Sequence, residues 1–105
     1  MYIVTITNTR PSSEVQWFYR SSPEAATLWE NVINAQAASP GFINLELKTP
    51  LDHPTSQVWE VKWDSEAACK EWEKNNQTLL NSIYIARSAY SKDRGTTRTV
   101  VRTTV

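Results

Sequence analysis

The chain has 105 residues, of which 40% are hydrophobic and 21% are charged. This composition is typical of a folded protein, and the length suffices for one core, so we expect a single domain over residues 1–105. The eleven basic and eleven acidic side chains cancel. The molecule as a whole therefore has no electrostatic field that would attract nucleic acid.

The ends of the chain differ in charge. Residues 1–86 carry six basic and ten acidic side chains, a net of −4, whereas residues 87–105 carry five basic side chains against one acidic, a net of +4. The basic end is either a solvated strand that complements an acidic body or a phosphate-binding element.

Targeting and redox signals are few. The N-terminus lacks a basic start followed by an apolar run, so we expect no signal peptide, and the apolar runs are too short to span a membrane. Cys69 is the only cysteine and cannot form an intramolecular disulfide. These features favour a reducing compartment such as the cytoplasm.

The first third of the chain reads as a strand followed by a helix. β-Branched side chains over residues 2–8 predict a strand, and Pro11 ends it because proline lacks a backbone N–H. Residues 14–20 are either a short second strand or an extended arm. Residues 21–39 predict a helix, capped by Ser21 or Ser22. Its apolar face comprises Ala25, Leu28, Trp29, Val32, Ile33 and Gln36.

Two segments then alternate between apolar and polar residues, as strands with one buried face do. Residues 42–48 place Ile43, Leu45 and Leu47 on one face, with Phe42 and Asn44 opposite. Residues 57–63 place Trp59, Val61 and Trp63 together. The loop between them contains two prolines and an aspartate, so we expect the strands to form a hairpin.

The last third contains helical spacing and a final strand. Residues 64–75 predict a helix capped by Asp64 or Ser65, helical spacing resumes over residues 78–90, and residues 92–95 read as a turn. Residues 96–105 form a strand rich in Thr and Val. The order βαββαβ predicts an α+β, ferredoxin-like fold, in which helices cover one face of a four-stranded antiparallel sheet.

Two motifs carry a resemblance to a known family. "ASPGFINLEL" at residues 38–47 and "VWEVKWDSEAACKEW" at residues 58–72 resemble the antibiotic-biosynthesis-monooxygenase type of dimeric α+β barrel, and the likeness runs over residues 2–88. It implies a homodimer in which two sheets pack face to face. The uncovered face is expected to carry Asn44, Glu46, Lys48, Val58, Glu60, Lys62, Arg98, Val100 and Arg102.

The stretch "TRPSSEVQWF" at residues 9–18 is similar to small proteins encoded by tailed phages. That likeness implies a structural or accessory role. If the aromatic residues Trp17, Phe18 and Tyr19 are exposed, they form an apolar patch of the kind that binds a partner protein.

The family resemblance implies two kinds of chemistry. Haem-degrading members use an Asn, a Trp and a His; Asn8 and Trp72 match the first two, but the third falls at Ser82 or Asn81, neither of which is an imidazole ligand. Cofactor-free members oxidise small aromatic molecules. For that chemistry the candidate residues are Asn8, Trp63, Trp72, Tyr84 and Arg87.

We therefore expect no cofactor, and one histidine with one cysteine cannot supply an ordinary zinc site. The candidates also have structural interpretations: Trp63 and Trp72 as core residues, and Tyr84 with Arg87 as a surface or rim pair. Asn8 is at the end of its strand, where Asn is common.

Two functions remain open. The residues favour a non-enzymatic oligomerisation or accessory module; the alternative is a cofactor-independent monooxygenase acting on a small aromatic substrate. A closed internal cavity lined by Asn8, Trp63 and Trp72, between the helices and the sheet, would favour the enzyme. A filled core, with residues 17–19 packed across a subunit boundary, would favour the module.

Overall fold

The computed structural model describes all 105 residues, Met1–Val105. The strands form one antiparallel sheet in the order β2-β3-β1-β4, and the helices lie on one side of it, which confirms the predicted ferredoxin-like arrangement. The elements are β1 (Tyr2–Thr9), α1 (Pro23–Ala37), β2 (Phe42–Leu47), β3 (Ser56–Trp63), α2 (Glu66–Asn75), α3 (Gln77–Arg94) and β4 (Thr97–Thr104). None of these helices is both long and apolar enough to cross a lipid bilayer.

The core lies between the sheet and the helices. Alternate residues of β1 and β3 point toward the helices and are buried, among them Val4, Ile6 and Trp63, of which Trp63 is only 1% exposed. α2 and α3 contribute Trp72 and Ile83 to the same cluster. Each such side chain contributes about 1.5–3 kcal/mol through removal of its surface from water.

Serine side chains start the first two helices. Ser22 Oγ accepts a hydrogen bond from the Ala25 N–H at 3.2 Å, and Ser65 Oγ accepts one from the Ala68 N–H at 3.1 Å. Each bond satisfies an N–H that has no partner within its helix. Of the alternative caps, the structure thus selects Ser22 and Ser65.

The predicted turn at residues 92–95 is wrong for its first three residues. α3 continues through Arg94, and only Gly95, with a φ of 73°, leaves the helical conformation. Lys92 and Arg94 lie in the last turn, where cations interact favourably with the negative end of the helix dipole.

A β-bulge changes which residues of β2 face the core. The pairing with β3 shifts between Phe42 and Asn44, so Phe42 lies opposite Trp63, while Leu45 lies opposite Val61. Phe42 packs edge-on against Trp63, with ring centroids 5.5 Å apart. Strict alternation put Phe42 and Leu45 on different faces of β2. That prediction is wrong, because the bulge inserts one residue and brings both side chains to the face toward the helices.

The uncovered sheet face also differs from the expected one. Arg102 pairs with Val4, Val100 with Ile6, and Arg98 with Asn8, so these three β4 residues lie on the helix side of the sheet. The residues of β4 on the open face are instead Thr97, Thr99, Val101 and Thr103. Asn44, Glu46, Glu60 and Lys62 do lie on the open face, where Glu46 and Glu60 are opposite each other.

The segment between β1 and α1 is neither a strand nor a free arm. It forms a short 3-10 turn over Phe18–Arg20, and Trp17 is buried within the chain, with 4% of its surface exposed. Arg10 stacks over the Trp17 ring at 4.4 Å and donates hydrogen bonds to the carbonyls of Val15, His53 and Pro54. From α3, the Tyr90 hydroxyl donates to the Gln16 carbonyl.

Candidate functional site

A cavity of about 790 Å³ separates the helices from part of the sheet. Val4, Ile6 and Val61 form its floor. Its exposed lining residues lie on α3 and β4, so the mouth opens between these two elements. The volume lies within the range of pockets that hold small organic ligands.

Aromatic rings form much of the wall. Trp29, Trp63 and Trp72 all line the cavity, and the rings of Trp63 and Trp72 lie 5.6 Å apart between centroids. The buried Nε1 of Trp72 has no hydrogen-bond partner. A buried indole N–H usually finds one, so this donor is left unsatisfied within the chain.

At one end of the cavity, the charged side chains are paired with each other. Arg102 on β4 binds Glu73 on α2 through two parallel hydrogen bonds of 2.8 and 3.0 Å. The adjacent Cys69 thiol lies 3.5 Å from a Glu73 oxygen. Burial, together with the Glu73 charge, raises the pKa of Cys69 to about 11. The thiol stays protonated at neutral pH and is a poor nucleophile.

The other end carries two arginines without counter-ions. Arg87 on α3 and Arg98 on β4 both line the cavity, and no carboxylate lies within 4.0 Å of either guanidinium. Desolvation, with a smaller contribution from the Arg98 charge, lowers the pKa of Arg87 to about 9. Desolvation likewise lowers the pKa of Arg98 to about 10. Both remain cationic at neutral pH.

A second, small cavity of about 30 Å³ adjoins this end. Arg87 and Arg98 line both cavities, as do Trp29, Ser91 and Thr96. Asn8 and Gln57 line only the small cavity and not the large one. The Asn8 Nδ2 donates to Gln57 Oε1 at 3.2 Å. The small cavity is thus a polar extension of the larger apolar one.

The residues singled out from the sequence for catalysis lie around these cavities. Trp63, Trp72, Tyr84 and Arg87 line the large cavity, and Asn8 lines the small one. Tyr84 stands at the mouth with 66% of its surface exposed, whereas Arg87, one helical turn further along α3, is only partly exposed. Their catalytic roles stay predictions.

The three aromatic residues proposed for partner binding make their contacts within the chain. Phe18 packs edge-on against Tyr90 at 5.6 Å between ring centroids, and Tyr19 stacks on Trp29 at 6.1 Å. Together with the buried Trp17, they form part of the small cavity's wall. Their role toward a partner stays a prediction.

The sequence did not identify three of the residues that line the site, namely Trp29, Gln57 and Arg98. Trp29 and Gln57 have the spacing of core residues, since Gln57 precedes Trp59 by two positions on the same face. Arg98 was placed on the open face of the sheet. Only its pairing with Asn8, which depends on strand register, shows that it faces the helices.

No protein-family model matches the chain, and no curated protein matches it. Solved structures do. SnoaB, a cofactor-independent oxygenase from Streptomyces nogalater, matches with a TM-score of 0.53 and 14% identity, covering 99% of this chain and 92% of its own. A dimeric ferredoxin-like protein from an uncultured marine organism matches with a TM-score of 0.61 and 13% identity, covering 100% and 94%.

An antibiotic biosynthesis monooxygenase matches with a TM-score of 0.57 and 15% identity, covering 100% of this chain and 98% of its own. At such identities the likeness concerns the fold rather than the chemistry. The chain therefore has the ferredoxin-like fold of the antibiotic-biosynthesis-monooxygenase type.

Proposed function

We propose that the protein is a cofactor-independent oxygenase that acts on a small aromatic substrate held in the large cavity. The observation that carries this proposal is the cavity itself: about 790 Å³, walled by three tryptophans and supplied with a few polar groups at its ends. A non-enzymatic accessory module has no need of such a chamber. The alternative derived from the sequence is therefore preferred to the module.

The proposed reaction uses the electrons of the substrate. An aromatic compound with an acidic C–H, such as anthrone, reacts with one O₂; its CH₂ carbon becomes a carbonyl, one oxygen atom stays on that carbon, and the other leaves as water with both hydrogens. The four electrons lost by carbon equal the four gained by O₂. The substrate must lose a proton to form an anion before it reacts.

The residues supply positioning and stabilisation of charge. In this proposal the tryptophan rings hold the flat substrate, and the unpartnered Trp72 Nε1–H donates to an oxygen on which negative charge develops. Arg87 adds positive charge at the polar end of the cavity. Burial in an apolar chamber also keeps water away from reactive intermediates.

The test compares two identical substitutions. With anthrone as substrate, we expect Trp72→Phe to lower the rate of anthraquinone formation about tenfold, because it removes one hydrogen-bond donor to the developing charge. Trp59→Phe is the matched control: its Nε1 is also buried without a partner, but Trp59 lines neither cavity. We expect this control to retain the full rate.

The assay follows O₂ uptake and, with ¹⁸O₂, the mass of the quinone. One labelled oxygen atom per quinone supports the proposal. A rate no greater than that in buffer, or equal losses in the two variants, contradicts it. An inactive protein that nevertheless forms a specific complex with another protein favours the accessory module.

The second element of the proposal is a homodimer formed through the open face of the sheet. This face carries apolar side chains beside its ion pairs, and Val101 stands midway along the edge strand β4 with 55% of its surface exposed. The dimeric ferredoxin-like protein from the marine organism shares the fold, which supports a dimer for this chain as well.

We expect light scattering to give twice the chain mass of 12.0 kDa for the protein and a single chain mass for Val101→Glu. The new carboxylate would have to be buried without a partner in the dimer. Ile85→Glu is the control, since Ile85 is exposed on α3, away from the sheet. A monomeric parent protein, or a dimeric Val101→Glu variant, contradicts the proposal.

A further inference from the structure

A row of polar side chains crosses three strands at one level of the sheet. Asn8 on β1 pairs with Gln57 on β3 and with Arg98 on β4, and all three point toward the helices. Arg87 of α3 joins them at the small cavity. The fold therefore brings together four residues that are far apart in the sequence.

The two arginines and the Gln57 amide present N–H donors that no acceptor within the chain binds. Arg87 and Arg98 form no hydrogen bond or ion pair within the chain. Gln57 is only 2% exposed, and its Nε2 is buried without a hydrogen-bond partner. The one acceptor atom of the Gln57 side chain is already occupied by Asn8. The two charged groups at this end of the cavity are thus both cationic N–H donors, and beside them lie the Asn8 amide oxygen and the hydroxyls of Ser91, Thr96 and Thr97.

Arg87 is partly buried beside the Phe18 ring and Arg98 is exposed at the mouth, so a bound anion would give both guanidinium groups the ion pair that they lack. A charged group that loses water without gaining a partner destabilises the fold, and two neighbouring cations repel each other. The lowered pKa of Arg87 has both causes. Arg102, in the same large cavity, shows the usual solution, since Glu73 binds it with two hydrogen bonds.

The dimensions select the kind of anion. About 30 Å³ admits one or two water-sized groups, so the two oxygens of a flat carboxylate fit better than the four oxygens of a tetrahedral phosphate. The guanidinium fork also matches the geometry of a carboxylate. The adjoining cavity, with its tryptophan walls, accommodates an aromatic body attached to that carboxylate.

We propose that Arg87, Arg98 and Gln57 bind the carboxylate of an aromatic carboxylic acid, whose ring lies in the large cavity. This carboxylic acid is the substrate class of the enzyme proposed above. Its role as a substrate rests on the proposed function. The binding site itself is measured without turnover.

The test measures, by equilibrium dialysis, the affinity of the protein for 2-naphthoate and for its neutral isostere 2-naphthamide. We expect the parent protein to bind the carboxylate at least about tenfold more tightly, because charge-assisted hydrogen bonds form only with the anion. Arg87→Gln and Arg98→Gln should each abolish most of this preference while leaving the binding of 2-naphthamide nearly unchanged.

Arg94→Gln is the matched control. Arg94 lies on the same helix as Arg87, packs over the Tyr90 ring at 4.3 Å, and lines neither cavity. We expect this variant to keep the full preference for the carboxylate. Thermal unfolding of every variant shows whether each is folded.

Each outcome decides the matter. Loss of the preference in both cavity variants but not in Arg94→Gln supports the proposal. Equal affinity for the two naphthalenes, no saturable binding of 2-naphthoate, or tighter binding of 2-naphthyl phosphate overturns it. Retained carboxylate preference in a protein that consumes no O₂ with any aromatic acid rejects the oxygenase and leaves the carboxylate site standing.

Discussion

At the scale of single residues, Gly41 connects the end of α1 to the start of β2 at a point where no side chain fits. Its φ is 84°, and a Cβ there would lie 2.6 Å from both the Ala68 Cβ and the Asp64 Oδ1. Its carbonyl also accepts the Asp64 N–H at 2.8 Å. The glycine thereby lets β2 approach the start of α2.

We expect Gly41→Ala to lower the free energy of unfolding by about 2–4 kcal/mol, since it combines backbone strain with a steric clash. Gly95→Ala is the control: its φ of 73° is similar, but the nearest atom to an added Cβ is Pro11 Cγ at 3.8 Å. This variant should lose about 1 kcal/mol. Equal losses in urea denaturation would show that Gly41 has no such close neighbour.

At the scale of elements, periodicity predicted all four strands and the three helical segments. It failed where the chain departs from regular spacing. The bulge in β2 turns Phe42 toward Trp63, and alternation alone cannot reveal an inserted residue. The charged residues 92–94 were predicted to form a turn, but α3 continues through Arg94 and ends at Gly95.

The segment before α1 failed for a different reason. Residues 14–20 have no helical or strand period, and long-range contacts fix them: Arg10 stacks on Trp17, and Tyr90 donates to Gln16. Such contacts depend on where α3 lies, which local sequence does not encode. Aromatic side chains that suggested an exposed contact patch therefore pack inside the chain.

At the scale of the whole molecule, the site depends on register and on the space that packing leaves open. Trp63 and Trp72 could be predicted to meet, because both have core spacing on neighbouring elements. The approach of Gln57 and Arg98 to Asn8 requires the pairing of three strands. Side-chain patterns indicate which residues are apolar, but a filled core and a cavity share the same pattern.

The central claim is that the space between the helices and the sheet is a chamber for an aromatic acid. The most direct measurement is a crystal structure of the protein grown with 2-naphthoate. It should show the ring against Trp63 and Trp72 and the carboxylate within hydrogen-bond distance of Arg87 and Arg98. A chamber filled by side chains, or a naphthoate bound only elsewhere at saturating concentration, would contradict the account.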